Sequence, residues 1–416
     1  MGPKSLNIWV DNVKSGILEQ QLRQRYVFAY DSNARDAVSL TMPIRLGGWV
    51  TPELHPVFQM NIPEGALLEA IRRAIAKIIG AGDIAILAAT GGNQIGRNRF
   101  SMSGEGAPSA GCVPESLDEL LTYPDTEELF NELLGRYAIR SGISGVQPKV
   151  LLEAHQRGTL AGHGYIVKSW GADSPCLAAN EFFCMTAAKK AGLNVPDFYL
   201  AENGGLFIMR RFDRGPNGEA MGFEDMCSLQ ALSTSQKYDG TYERVAKTLK
   251  NFISGEHVPA AKRQFFATLV LSSMVQNGDA HLKNFGVIYP DPGGPVSLAP
   301  VFDVVTTTAY IKNDVPALAI DGRKKWWPRK ILERYAMAHL SLPPGEVKEI
   351  VSRMADAVMD TRQAIPSYIA EHPEFKDVGE RMMDCWATGV HLFFPDIGAC
   401  PRIRAEAKIQ KFEGRF

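Results

Sequence analysis

Hydrophobic and polar positions change their period several times along this chain. Near the amino end "LNIWVDN", "YVFAY" and "AVSLTM" are short runs rich in β-branched and aromatic residues, separated by polar or glycine breaks, and they predict strands. "IPEGALLEAIRRAIAKIIGAG" then spaces its apolar residues helically, with a Pro-Glu start and a glycine stop. The Gly-, Ser- and Pro-rich "SMSGEGAPSAGCVPES" reads as a linker or mobile loop, which places a domain boundary near it. From residue 136 the pattern becomes a hairpin: "SGISGVQPKVLLEA", a turn at "HQRGT", then "GYIVKSW". A helix over 178–191 with Gly192 as C-cap follows, and then two strands, "DFYLA" and "LFIMRRF". After residue 225 most long segments are helical in spacing, among them "YERVAKTLKNFI", "AKRQFFATLVLSSMVQ", "LPPGEVKEIVSRMADAVMD" and the last thirty residues. One hairpin, "FGVIYPDPGGPVSLAPVFD", interrupts them, and no repeat of solenoid period is present.

Composition narrows the class. A 45% apolar fraction in 416 residues supplies cores for two or three domains. With 45 basic and 46 acidic residues the formal charge is −1, so the overall balance draws the chain to neither nucleic acid nor an anionic membrane. The cysteines (Cys112, Cys176, Cys184, Cys227, Cys385 and Cys400) are scattered without a CxxC pair, which suits buried thiols in a reducing compartment. The amino end has no secretory pattern, and Leu6 stands where myristoylation wants Ser or Thr. No apolar run, "FFATLVLSSMV" included, reaches the roughly 20 residues of a membrane span. A soluble cytoplasmic protein is the expectation.

Chemistry concentrates in "NGDAHLKNFGVIY", residues 277–289. A long apolar helix delivers this polar loop, and "FGVIY" then runs into the turn "PDPGG" and back through "VSLAP". Because a hairpin joins its outer ends, the loop with Asp279 and Asn284 is expected beside Asp303 in "VFDVV". Two carboxylates and an amide oxygen suit Mg²⁺ shared with nucleotide phosphates. They also match a phosphoryl-transfer template, in which an Asp accepts the hydroxyl proton and an Asn five residues later and a second Asp hold the metal. Lys168, ending an apolar strand, is the candidate cation for the phosphates. Glu181 in the next helix is its expected partner, with Asp173 a competitor. Gly142 and Gly145 would let backbone N–H groups approach phosphate closely.

"GVQPK", "IVK", "NEFFC", "AGLNVPD", "RRFDR", "EDMCSLQAL", "GDAHLKNF" and "PVFDVV" occur in an order that resembles the HipA family of bacterial serine/threonine kinases, the toxin halves of toxin–antitoxin pairs. The amino-terminal "NIPEGALLEAI" and "DIAILAATGG" resemble the extra domain that full-length members carry. The resemblance implies an α+β, bilobal protein-kinase-like fold with an added N-terminal α/β domain and a mostly helical C-terminal lobe, divided as 1–105, 106–212 and 213–416. It implies ATP and Mg²⁺ as cofactors, Asp279 as catalytic base, and Asn284 and Asp303 as metal ligands. Lys168 would hold phosphates and Lys283 would steady the transferred phosphoryl group. Backbone groups of Met209, Arg210, Arg211 and Phe212 would border the adenine. Family members often carry an inhibitory autophosphorylation serine in the Gly-rich loop. Gly142 stands at the best-known position, which leaves Ser144, the favoured site, and Ser141 as candidates. The implied partners are a HipB-like DNA-binding antitoxin, through which DNA is met only indirectly, and a protein substrate such as an aminoacyl-tRNA synthetase.

Competing readings remain beside this one. A pseudokinase acting as scaffold or corepressor, or a small-molecule phosphotransferase, would share the core. His281 with Asp279 and Asp303 would suggest a metallohydrolase, but no other His sits at ligand spacing, so a structural hydrogen-bonding role is expected for it. "RKKWWPRK" is read as a solvated edge rather than a base-stacking patch, "GGNQIG" as a loop, and "EDMCSLQAL" as a helix start with core packing.

Overall fold

Asp11 and Asn12 both adopt left-handed backbone, with φ of 47° and 63°, and so turn β1 (Ser5–Val10) directly back into β2 (Val13–Gln20). The computed structural model describes residues 3–21, 25–108, 114–138, 141–144, 147–155 and 163–395. With β3 (Tyr26–Tyr30), β4 (Trp49–Thr51) and β5 (Asn98–Met102) these strands form an antiparallel sheet of order β4-β3-β2-β1-β5. Leu6, Ile8, Leu18, Phe28 and Phe100 pack from it against Phe58, Ile84 and Leu87. "AVSLTM" does not become a strand. The Val38 N–H donates to the Tyr30 hydroxyl (3.0 Å) and the Leu40 N–H to Glu224 Oε1 (2.7 Å), so side chains supply partners that a sheet neighbour would have given. The predicted helix is present but shorter, Gly65–Ile75, and a second, Asp83–Thr90, follows a turn containing Gly80 at φ 86°.

A second five-stranded sheet has the order β6-β7-β8-β10-β9. Its strands are β6 (Glu115–Ser116), β7 (Lys149–His155), β8 (His163–Lys168), β9 (Phe198–Leu200) and β10 (Phe207–Arg210). Strand periodicity sorts its side chains: Val150, Leu152 and Val167 meet Leu117, Phe130 and Leu133 on one face. Leu151, Ile166 and Phe207 face the helix Leu177–Lys190 on the other. The helices Leu117–Thr122 and Thr126–Tyr137 went unpredicted because they follow directly on the Gly-, Ser- and Pro-rich stretch. Gly192 takes φ 73° and closes the helix Leu177–Lys190 with bonds to Lys189 and, through Leu193, to Ala188. Most of the "HQRGT" turn lies outside the described residues.

The remainder is mostly helical: Tyr242–Phe252, Val258–Met274, Arg329–His339, Pro344–Arg362 and Lys376–Phe393. Val258–Met274 is buried on every side from Phe265 onward and forms the axis of this part. Residues 396–416 lie outside the description, so the predicted terminal helix is seen only as far as Phe393. The expected hairpin exists as β12 (Gly286–Tyr289) and β13 (Ser297–Leu298), closed at its base by the Ala299 N–H donating to the Gly286 carbonyl. A third strand, β11 (Gly222–Asp225), pairs with β12 and was missed because four residues containing Gly222, Glu224 and Asp225 carry no strand signature. In "RKKWWPRK" the solvated-edge reading needs correcting. Trp327 is buried edge-on against Tyr242, and the Trp326 indole donates to the Asp314 carbonyl. No helix among the described residues is long and apolar enough to cross a membrane.

Candidate functional site

The apolar strand β8 ends at Lys168, which sets its ammonium just inside the sheet edge, 3% exposed. It donates to Glu181 Oε1 at 2.6 Å and to Asp303 Oδ1 at 2.7 Å, so the expected Lys168–Glu181 pair forms and Asp303, not Asp173, is the second partner. Burial opposes charge on this lysine, but the Asp303 and Glu181 carboxylates outweigh it and hold the ammonium above its ordinary value. Burial pushes the Glu181 carboxyl up to about 7, against the pull of Lys168. For Asp303 burial also works upward, but Lys168 and Lys149 overcome it and hold that carboxyl well below the usual range. Asp303 sits at φ 61°, a backbone that L-residues rarely adopt and that the surroundings must enforce. The segment that follows it is anchored at Thr306. Asn180, beside Glu181 on the same helix, donates to the Thr306 carbonyl and accepts from the Thr306 N–H, and the Trp386 indole donates to Thr306 Oγ1.

Gln276, at φ 54°, ends the axial helix and releases the polar loop. The Gly278 N–H donates to Thr307 Oγ1 (2.7 Å), and the Asp279 N–H donates to Asn277 Oδ1 (3.0 Å). The Asn284 amide donates to the Asp279 carbonyl (2.9 Å), a bond that fixes the side chain and leaves its Oδ1 available. Asp279 Oδ1 accepts from the Tyr238 hydroxyl at 2.7 Å. His281 is neutral in tendency, its pKa lowered by burial. Its Nδ1 lacks a partner and its Nε2 stands 4.0 Å from Asp279, so the ring packs edge-on against Tyr238 instead of filling the expected hydrogen-bonding role. Lys283 points at Glu64, 2.5 Å away.

One cavity of about 1010 Å³ collects Lys168, Asp279, Lys283, Asn284 and Asp303, together with Ser144, Asp173, Met209 and Phe212. Several expected residues are elsewhere. Gly142 is buried and bonded through its backbone to Asn93 and Ile95, and a Cβ there would come within 1.9 Å of the Gln94 amide; it is not among the residues lining this cavity. Gly145 lies outside the described residues. Ser141 is 0% exposed, donating to the Tyr137 carbonyl and accepting from the Leu151 N–H, so it is not presented to a phosphoryl donor in this conformation. The backbone N–H groups of Arg210 and Arg211 are spent on the Asp197 and Gly164 carbonyls, which removes them as adenine donors. The Arg211 guanidinium instead grips Asp213, Asn93 and the Gln94 carbonyl, giving "GGNQIG" a definite latch role. Of that connection only the Met209 and Phe212 side chains face the cavity, Phe212 being stacked on Phe302.

The donor set fits a small hard cation. Asp303 Oδ2 and Asn284 Oδ1 have no protein hydrogen bond among the described residues, both side chains line the cavity, and Lys168 occupies Asp303 Oδ1. No group of three or more His, Cys, Asp or Glu side chains forms a metal cage among the described residues. Sequence reasoning missed Lys149, which lies opposite Lys168 in the β7–β8 register, is 4% exposed and lines the cavity. It also missed Asn180, Lys237, Tyr238 and Glu64. Asn180 and Glu181 were visible as adjacent polar residues inside an otherwise apolar helix; the other three carried no local signal.

Comparison with known proteins places the chain in a family. Residues 6–101 match the domain family described as HipA N-terminal domain, and residues 141–362 match HipA-like C-terminal domain. Y4dM of Sinorhizobium fredii, named as a kinase candidate, is 30% identical over 58% of this chain, which spans 63% of that relative's length. Y4mE of the same organism, named likewise, is 26% identical over 74% of this chain and 79% of its own. A chain of the Shewanella oneidensis HipA, HipB and operator DNA complex superposes with a TM-score of 0.65 at 21% identity, covering 94% of this chain and 97% of that one, and so shares the fold. The C-terminal match alone takes in more than half of the chain, and the protein belongs to the HipA family.

Proposed function

We propose that the protein is an ATP- and Mg²⁺-dependent serine/threonine protein kinase of the toxin–antitoxin type, divided into an amino-terminal domain (1–105), a nucleotide-binding lobe (106–212) and a helical catalytic lobe (213–416). The observation that carries the reading is Lys168 held between Glu181 and Asp303 on the wall of a cavity that also contains Asp279 and Asn284. A strand lysine paired with a helix glutamate, a loop Asp and Asn five apart and a second Asp are the recurring parts of phosphoryl transfer. Met209 and Phe212 would pack against the base, while Lys168 and Lys149 would hold phosphate oxygens. Asp303 and Asn284 would hold Mg²⁺, which neutralises phosphate charge when bound. Asp279 would accept the acceptor hydroxyl proton as the oxygen attacks the γ-phosphorus and the bond from that phosphorus to the bridging oxygen breaks, releasing ADP, and Lys283 would meet the group in transfer.

Ser144 is the autophosphorylation candidate that faces the cavity. A HipB-like DNA-binding antitoxin is the partner inferred for this chain, since the superposed HipA was solved with HipB and operator DNA; an aminoacyl-tRNA synthetase is a substrate of the right class. The test is ATP turnover and phosphate incorporation into lysate protein by wild type and Asp279→Asn. Turnover by the wild type and a loss of at least about 100-fold in the variant is expected; equal rates would overturn the reading.

A further inference from the structure

Glu64 immediately precedes the helix Gly65–Ile75 yet makes no side-chain cap bond to it. Its carboxylate reaches instead into the cavity, accepting from Lys283 at 2.5 Å and from Lys237 at 2.9 Å. Among the described residues neither lysine has another ion-pair partner, and their side chains are only 6% and 11% exposed. Asp225 is the other buried acid near Lys283, and it is committed to capping the Ser228 N–H. Two half-sequestered ammonium groups thus converge on one carboxylate supplied by a distant part of the chain. That is how a protein holds an anion, and here the anion is internal.

The place of the pair identifies what it serves. Lys237 directly precedes Tyr238, whose hydroxyl donates to Asp279 Oδ1. On the reading of Asp279 as base, the phenol stands where an acceptor hydroxyl would give up its proton, and the Glu64 carboxylate is bound by the preceding residue, Lys237. The lysines assigned to nucleotide phosphates, Lys168 and Lys149, lie opposite each other on the β-sheet wall, whereas Lys237 and Lys283 come from the catalytic-lobe segments that carry Tyr238 and the Asp279 loop. Tyr238 and Glu64 together imitate a hydroxyl with an acidic neighbour.

We propose that Lys237 forms a subsite for an acidic side chain flanking the acceptor hydroxyl, and that Glu64 fills this subsite in cis, holding Lys283 as well, until such an acceptor displaces it and frees Lys283 for the group in transfer. The proposal rests on reading Asp279 as the base. Burial would raise the Glu64 carboxyl, but Lys283 and Lys237 hold it down at about 2, so the plug stays ionised across the physiological range and competes with another anion for the same lysines.

The test is binding of fluorescein-labelled peptides with a central serine flanked by glutamates or by glutamines, read by anisotropy with Mg²⁺ and a non-hydrolysable ATP analogue. Glu64→Gln is expected to bind the glutamate peptide about fivefold more tightly than wild type, the size of one favourable ion pair, with no gain for the glutamine peptide. Adding Lys237→Met should cancel that gain. Glu64→Asp, which keeps the charge but shortens its reach, should fall between the two and serves if Glu64→Gln melts early. Equal binding of both peptides to these variants overturns the subsite. A change in affinity for the ATP analogue instead of the peptide assigns the lysines to nucleotide and also overturns it. Failure of the kinase reading is separate: it shows as no analogue binding by wild type in the parallel titration.

Discussion

Lys168→Met keeps the side-chain stem and deletes the charge, leaving Glu181 (0% exposed) and Asp303 (28%) facing one another without their shared cation. A buried carboxylate stripped of its partner destabilises by about 3–5 kcal/mol if it stays ionised. Protonation is its escape. Burial pushes the Glu181 carboxyl from 4.5 up to about 7 even with Lys168 pulling it down, so removing Lys168 moves it higher still. The folded variant then keeps a proton that the unfolded chain releases above its ordinary value, and stability falls as pH rises, by up to about 1.4 kcal/mol per unit for one proton. In the wild type this contribution levels off near pH 7; in the variant it continues upward. Between pH 7 and 8.5 the variant should therefore lose about 2 kcal/mol that the wild type keeps. Urea unfolding at pH 6, 7 and 8.5 measures it, and Lys168→Met combined with Glu181→Gln should flatten the slope by removing the titrating group. Parallel stability curves for variant and wild type above pH 7 would refute Glu181 as the buried acid that Lys168 compensates.

Arg211→Leu leaves Asp213, which is 1% exposed, with only Arg214 and the Gly96 N–H, and should lower stability by about 3 kcal/mol, with Arg211→Lys recovering little because the fork that grips Asp213 is lost; a shift within about 0.5 kcal/mol in urea melts would count against the latch. Incubation with ATP and Mg²⁺ followed by intact-mass and peptide analysis should place any phosphate of the 141–144 segment on Ser144, and phosphate found on Ser141 would show that the buried hydroxyl is reached after all.

What the sequence revealed and concealed follows from contact range. Lys168, Glu181 and Asp303 were legible because a strand end, the next helix and the far end of a hairpin have fixed relative places once each element is recognised. Asp279 and Asn284 needed only their spacing. Gly142, Arg210 and Arg211 misled because their actual partners, Asn93 to Gly96 and Asp197, lie in segments whose placement no local pattern encodes. Glu64 escaped for the same reason, since its lysines are more than 170 residues away. "AVSLTM" shows the complementary failure: strand-forming residues were present, and Tyr30 and Glu224 captured the backbone first. Serine exposure was equally invisible, as Ser141 and Ser144 differ only in which side of the loop meets Leu151.

The first hundred residues hold both walls of the cleft at once. They clasp the sheet side through Arg211 and Gly142, and the helical side through Glu224 and the two lysines at Glu64. Such a body is a strut across the hinge. Any movement that separated those two walls would have to break one of these footings, at polar contacts remote from whatever the cavity holds.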